Sequence, residues 1–169
     1  MTLEVRAAVA GEGRQIEAIR IAGWRDAYVG LFDAEWLDAL AVTDERVAWW
    51  DQQLSEPAAG THVIVAKDDG TVRGFAVVRP CPDDDLPDAG YLAGLYVEPG
   101  HQRNGLGSAL LAAGLALLTQ SECALWVLEG NHPARRFYEQ HGFAADGARD
   151  VLTRGNTAAP EVRYRRSLG

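Results

Sequence analysis

Gly105 to Leu118, read as GLGSALLAAGLALL, leaves almost no polar side chain for water. On a helix, Leu106, Leu110, Ala113 and Leu117 share one face while Leu111, Leu115 and Leu118 share another, so the element is apolar nearly all round. The run is too short and too rich in Gly and Ala to span a bilayer. Such a helix has to pack deep against a sheet, and the rest of the chain supplies the strands.

Val5 to Ala8 reads as a first strand, followed by a helix with Ile16, Ile19 and Ala22 at helical spacing. Asp33 and Thr43 precede further helical segments as N-caps. Thr61 to Ala66 and Val72 to Val78 flank an Asp-Gly turn at Asp69-Gly70 and predict an antiparallel hairpin. Arg79 to Asp88, with three prolines and four aspartates, predicts an exposed loop. Tyr91 to Val97, Cys123 to Leu128, Phe143 to Val151 and Glu161 to Ser167 complete the strands, and Asn131 caps a helix that ends at Gly142. The expected order is β-α-α-β-β-β-α-β-α-β-β, in one domain over residues 1–169 with no repeat or linker. The expected fold class is α/β in the α+β sense: a single mixed, mostly antiparallel sheet flanked by helices.

A chain of 169 residues buries enough surface to need no staple, about 70% of what its unfolded form exposes. Its two cysteines, Cys81 and Cys123, have neither paired spacing nor a histidine cluster, so no metal is expected and a reducing cytoplasm is. The interspersed charges of Met1 to Arg14 do not read as a secretory signal, and no membrane role is suggested. A formal charge of −8 without a basic patch opposes nucleic-acid binding.

Strand Tyr91 to Val97 runs through Glu98-Pro99-Gly100 into Gln102-Arg103-Asn104-Gly105-Leu106-Gly107-Ser108, where the apolar helix starts. A helix start exposes unpaired N–H groups and partial positive charge, and glycines admit a ligand close to the backbone, so a pyrophosphate suits the position. No Gly-x-x-x-x-Gly-Lys-Ser/Thr occurs, and no Gly-x-Gly-x-x-Gly follows the first strand, which argues against nucleoside triphosphates and dinucleotides.

Gln102-Arg103-Asn104-Gly105-Leu106-Gly107 resembles the coenzyme A signature of the GNAT superfamily of N-acetyltransferases, Gln/Arg-x-x-Gly-x-Gly/Ala after a strand. Downstream, Asn131 to Phe143 is similar to the family's Asn-x-x-Ala-x-x-Phe-Tyr-x-x-x-Gly-Phe. The resemblance implies that acetyl-CoA is the donor substrate. It implies that the backbone of Leu95, Tyr96 and Val97 pairs with the pantetheine arm where two strands splay. It further implies that the N–H groups from Arg103 to Ser108 hold the pyrophosphate, that Asn131 contacts the cofactor, and that Tyr138 stands near the sulfur as general acid. Phe137 is expected to be a core aromatic.

Many family members carry a glutamate base where this chain has Tyr91. Asp88 and Glu129 are nearby in sequence, and neither is assigned. Gly23 to Leu31 resembles a Trp-Arg-x-x-Tyr-x-Gly pattern of one family branch, so Trp24 and Tyr28, four apart on one helical face, either wall an acceptor pocket with Tyr91 or simply join the core. Asp83, Asp84, Asp85 and Asp88 either attract a cationic acceptor or form a solvated loop. The implied activity is acetyl transfer to a primary amine of a small molecule, peptide or protein by direct attack in a ternary complex. A non-catalytic acyl-CoA-binding module is the alternative. Oligomeric state, a homodimer included, is left open.

Overall fold

The computed structural model describes residues 2–169; Met1, with which the expected domain begins, lies outside them. The elements are β1 (Leu3–Ala7), α1 (Gly13–Ala27), α2 (Ala34–Ala39), α3 (Asp44–Ser55), β2 (His62–Asp68), β3 (Thr71–Pro80), β4 (Gly90–Val97), α4 (Leu106–Leu117), β5 (Glu122–Leu128), α5 (His132–Gln140), β6 (Ala144–Arg154) and β7 (Thr157–Ser167). Three helices therefore separate β1 and β2, one more than the expected order held. The two caps proposed there differ in kind: Thr43 Oγ1 accepts the Arg46 N–H, whereas Asp33 makes no side-chain cap bond.

Among the described residues the strands form one seven-stranded sheet in the order β1-β2-β3-β4-β5-β7-β6. Every neighbouring pair is antiparallel except β4 and β5. The apolar helix α4 buries Leu106, Leu110 and Leu111 with Ile64, Ala76, Val78, Leu125, Val127 and Tyr164 from the strands, as its all-round apolarity demands. α5 packs Ala134, Phe137 and Tyr138 against the same cluster. On the opposite face, α1 and α3 bury Ile16, Ile19 and Trp50 over Val65 and Phe75.

Cys81 to Asp88 form the expected, mostly exposed loop, but the start of the segment departs from expectation. Arg79 and Pro80 continue β3 and pair with Tyr91 and Gly90. The loop that follows is also anchored, with Leu86 and Ala89 buried. Asp83 and Asp85 both bind Arg163 of β7, at 3.0 and 2.8 Å, and Asp146 of β6 reaches the same guanidinium at 2.7 Å. Arg163 is only 5% exposed, so these carboxylates neutralise a charge that burial would otherwise make costly. Two of the four aspartates are thus committed to the fold.

Glu17 on α1 is 1% exposed. Arg20 donates to it at 2.7 and 3.0 Å, and Trp50 Nε1 of α3 donates at 2.8 Å, tying the two helices together. Burial alone would push its carboxyl up, but the bonds from Arg20 and Trp50 and the charges of Arg20 and Arg46 prevail and hold its pKa below the ordinary value. A depressed pKa stabilises the fold above the unfolded-state value, and that stabilisation is lost as pH falls through the folded value. Glu17→Ala should lower the unfolding free energy by about 3 kcal/mol at neutral pH, and urea denaturation should show the deficit shrinking below about pH 4.

Candidate active site

β4 pairs with β3 along its length but meets β5 at only two positions, Gly90↔Cys123 and Tyr91↔Ala124. Beyond them the strands diverge, and the edge of β4 from Leu92 to Val97 has no strand partner on the β5 side. A bulge changes the β3 register between Val77 and Val78, so that Val77 faces Gly94 and Val78 faces Leu92, with Ala93 as the extra residue. The bulge reverses which face successive side chains occupy. Leu95 and Val97 thereby join Leu92 on the α4 side, and Tyr96 turns toward α1.

Tyr96 fills the gap on that side. A Cβ on Gly23 of α1 would come within 2.9 Å of its ring, and one on Gly94 within 3.0 Å, so both glycines make room for it. Its ring stacks on Phe75 at 5.1 Å, and its hydroxyl accepts a 2.8 Å bond from Trp24 Nε1. Trp24 and Tyr28 do share a face, with centroids 5.1 Å apart, and continue through Phe32 and Trp36 into an aromatic wall between α1 and α2. Tyr91 lies half-buried with Leu86, Ala89 and Ala124. Burial first, then the charges of Asp83 and Glu161, push its phenol up to about 12.

The turn after β4 is fastened at several points. The Glu98 N–H donates to Arg73 O at 2.7 Å, its carboxylate binds Arg73 at 2.6 Å, and Gln102 Nε2 reaches Val97 O at 3.4 Å. Arg103 and Gly105 adopt left-handed backbone, at φ 66° and 84°, and Gly105 is the residue preceding α4. No side chain caps the helix, which leaves the Leu106, Gly107 and Ser108 N–H groups in its unpaired first turn. Arg103, Asn104 and Gly105 are exposed, and a Cβ on Gly105 would meet nothing within 4 Å.

α5 stands beside this turn. Asn131 caps it by accepting the Ala134 N–H at 3.4 Å, and Pro133 falls in the first turn, where it costs no hydrogen bond. Phe137 packs its ring against His141 at 4.3 Å. The His141 Nδ1–H donates to the Phe137 carbonyl at 2.7 Å, and Nε2 meets Ser108 Oγ at 3.0 Å, clasping α5 to the start of α4. Tyr138 is half-buried against the core, and among the described residues its hydroxyl has no hydrogen-bond partner. Burial, aided by Tyr96, Cys123 and Tyr91, raises its pKa well above the usual phenol range.

The acids considered from sequence fare differently. Asp88 is exposed, and Glu129 pairs with Arg149 at 2.8 Å. Glu98 is held by Arg73. One acid absent from that set, Glu161 of β7, lies on the face shared with Leu128 and the aromatic wall. Only its position opposite Leu128 in the β5–β7 register marks it, and the linear chain does not show that register.

The Acetyltransferase (GNAT) family model matches residues 21–143. The chain is 28% identical to "Probable N-acetyltransferase Rv2775" of Mycobacterium tuberculosis over 86% of its own length and 82% of that protein. It is 30% identical to the N-acetyltransferase YuaI of Bacillus subtilis over 81% and 78%. In fold it matches the PaiA N-acetyltransferase of Thermoplasma acidophilum, solved in complex with coenzyme A, with a TM-score of 0.71 at 17% identity over 99% of both chains. The chain belongs to the GNAT family of acetyltransferases and has its fold. It is an acetyl-CoA-dependent N-acetyltransferase. Among the described residues no helix is long and apolar enough to cross a membrane.

Both thiols are poorly suited to carry an acyl group. Burial pushes Cys123 up to about 12 and raises Cys81 as well. Titration of the native protein with a disulfide reagent near pH 8 should leave Cys123 unmodified, because its thiolate fraction there is on the order of 10⁻⁴, and should label it only after denaturation. Rapid native labelling of Cys123 would contradict this assignment.

Proposed function

We propose that residues 1–169 form one acetyltransferase domain that holds acetyl-CoA against the free edge of β4 and passes the acetyl group directly to a primary amine. The observation that carries this reading is the divergence of β4 from β5 after two paired residues. An unpaired strand edge inside a domain leaves backbone groups in search of partners, and an amide-bearing pantetheine arm offers them. In this reading the arm pairs with Leu95, Tyr96 and Val97. The pyrophosphate meets the free N–H groups from Arg103 to Ser108, with Gln102 fastening the loop behind them. Asn131 contacts the donor from the start of α5.

Trp24, Tyr28 and Tyr91 border the acceptor on the other face of the sheet. A neutral amine attacks the thioester carbonyl carbon, the C–N bond forms, and the C–S bond breaks. The departing sulfur takes a proton from Tyr138, whose raised pKa keeps it protonated at neutral pH and whose free hydroxyl is available to donate. Direct attack is favoured over an acyl-cysteine route by the raised pKa values of both thiols. Two unlinked cysteines also favour a cytoplasmic setting.

Tyr138→Phe should lower kcat by about 100-fold and leave the KM for acetyl-CoA within about twofold, as thiol release across an amine panel would report. Unchanged kcat would remove the acid assignment. Gly105→Glu adds a negative side chain at a left-handed position beside the free N–H groups and should abolish acetyl-CoA binding by calorimetry. Retained affinity would remove the loop from the donor site. Tight acetyl-CoA binding by the native protein with no thiol release for any amine would favour a non-catalytic acyl-CoA module.

A further inference from the structure

Glu161 is an acid that the fold does not use. It lies in β7 between two strands, with Leu128 of β5 as one direct partner and Asp150 of β6 as the other. Direct cross-strand partners share a face, so its side chain joins Leu128, which packs with Tyr28, Phe32 and Leu37. This is the face on which Tyr91 and Tyr96 flank the opening between β4 and β5.

Of the nearby cations only Arg154 acts on Glu161, through its charge and without a contact. Arg163, two residues on and on the same face, spends Nε on Asp146, Nη1 on Asp83 and Asp85, and Nη2 on Asp85. Arg154 lies over the Trp24 ring at 5.6 Å and donates to Thr153 O. Among the described residues the Glu161 carboxylate makes no ion pair and no hydrogen bond, although the residue is half-buried. The charged and titratable groups around it are Asp150 and Arg154 of β6, Asp83 of the β3–β4 loop, Arg163 of its own strand, Tyr28 just after α1 and Tyr91 of β4. Tyr28 in turn stands within electrostatic reach of Tyr138 and Tyr96. A half-buried carboxylate flanked by Asp150 and Asp83, and opposed only by the charge of Arg154, suits a cation arriving from outside.

Resting on the transferase reading above, we propose that Glu161 is the acceptor-side base, receiving the ammonium group of an alkylamine between Tyr28 and Tyr91 and taking its proton. The free amine then attacks the thioester carbonyl carbon. As the C–S bond breaks, Tyr138 gives its proton to the sulfur and is reprotonated by the proton that the new amide nitrogen sheds. Glu161 finally releases the first proton to solvent, so one alkylammonium and one acetyl-CoA yield one amide, one thiol and one proton. Burial and the Asp150 charge raise the Glu161 carboxyl above the ordinary value, which brings a carboxylate closer to the strength a base needs at neutral pH. The accepted class is therefore alkylamines that arrive protonated, and Tyr91 replaces the family's usual acid because the carboxylate comes from β7 instead.

Thiol release by the intact protein, measured against pH with putrescine, tyramine and kanamycin, tests this, alongside calorimetry of acetyl-CoA binding. Glu161→Gln should lower kcat/KM for the best of these amines by about 100-fold at neutral pH, remove the acid limb of the profile, and keep acetyl-CoA affinity. Asp150→Asn removes the neighbouring like charge and should move that limb to lower pH, a shift that a purely structural role for Glu161 would not produce. A Glu161→Gln protein with unchanged rate and limb, or one whose loss matches a loss of acetyl-CoA affinity, would overturn the assignment and leave the transferase reading intact. Acetyl-CoA binding by the native protein with no thiol release for any of the amines would overturn both the alkylamine class and the role of Glu161.

Discussion

Two residue pairs, Gly90↔Cys123 and Tyr91↔Ala124, are the only strand pairing between the two halves of the sheet among the described residues. Everything distinctive about the site follows from the strands parting after them. The gap stays open because each side is packed: Leu95 and Val97 are drawn onto the α4 cluster, and Tyr96 is wedged between Gly23 and Gly94 on the α1 side. The Ala93 bulge lets both happen, since without the extra residue the side chains after Leu92 would occupy the opposite faces. A sheet closed at this point would satisfy its backbone internally and have no edge to offer a donor.

Charge is partitioned on the same principle. Glu17 and Arg163 are almost fully buried, and each is surrounded by partners that neutralise it, so both hold elements in place. Glu161 is set in the same sheet yet receives none of these cations, because Arg163 is saturated by aspartates from a neighbouring loop and strand. The acidic segment Asp83–Asp85 thus acts at one remove: by occupying Arg163 it leaves Glu161 without that cation.

Much of this was legible in the chain, and the physics explains which parts. The all-round apolarity of Gly105 to Leu118 required a buried helix on a sheet, and Asn131 and Gly142 marked the limits of α5, because caps and periodicity are local properties. The loop expected to hold the donor is equally local, its residues consecutive. The Pro/Asp segment was legible as a loop because proline content speaks to local pairing, but the fate of Asp83 and Asp85 was decided by Arg163, 80 and 78 residues away. Glu161 was missed for a related reason. Its neighbours come from β5, β6 and α1, and a strand register that brings Asp150, Leu128 and Tyr28 around one carboxylate leaves no trace in the spacing of residues along the chain.

In the proposed function, the parted edge of β4 and the start of α4 receive the donor together. Amide hydrogen exchange with and without coenzyme A tests it most directly. Slowed exchange concentrated in Leu95–Val97 and Arg103–Ser108, with β1 to β3 unchanged, is the predicted result. Binding of coenzyme A that leaves both segments exchanging as before, or that protects only residues elsewhere in the chain, would contradict it.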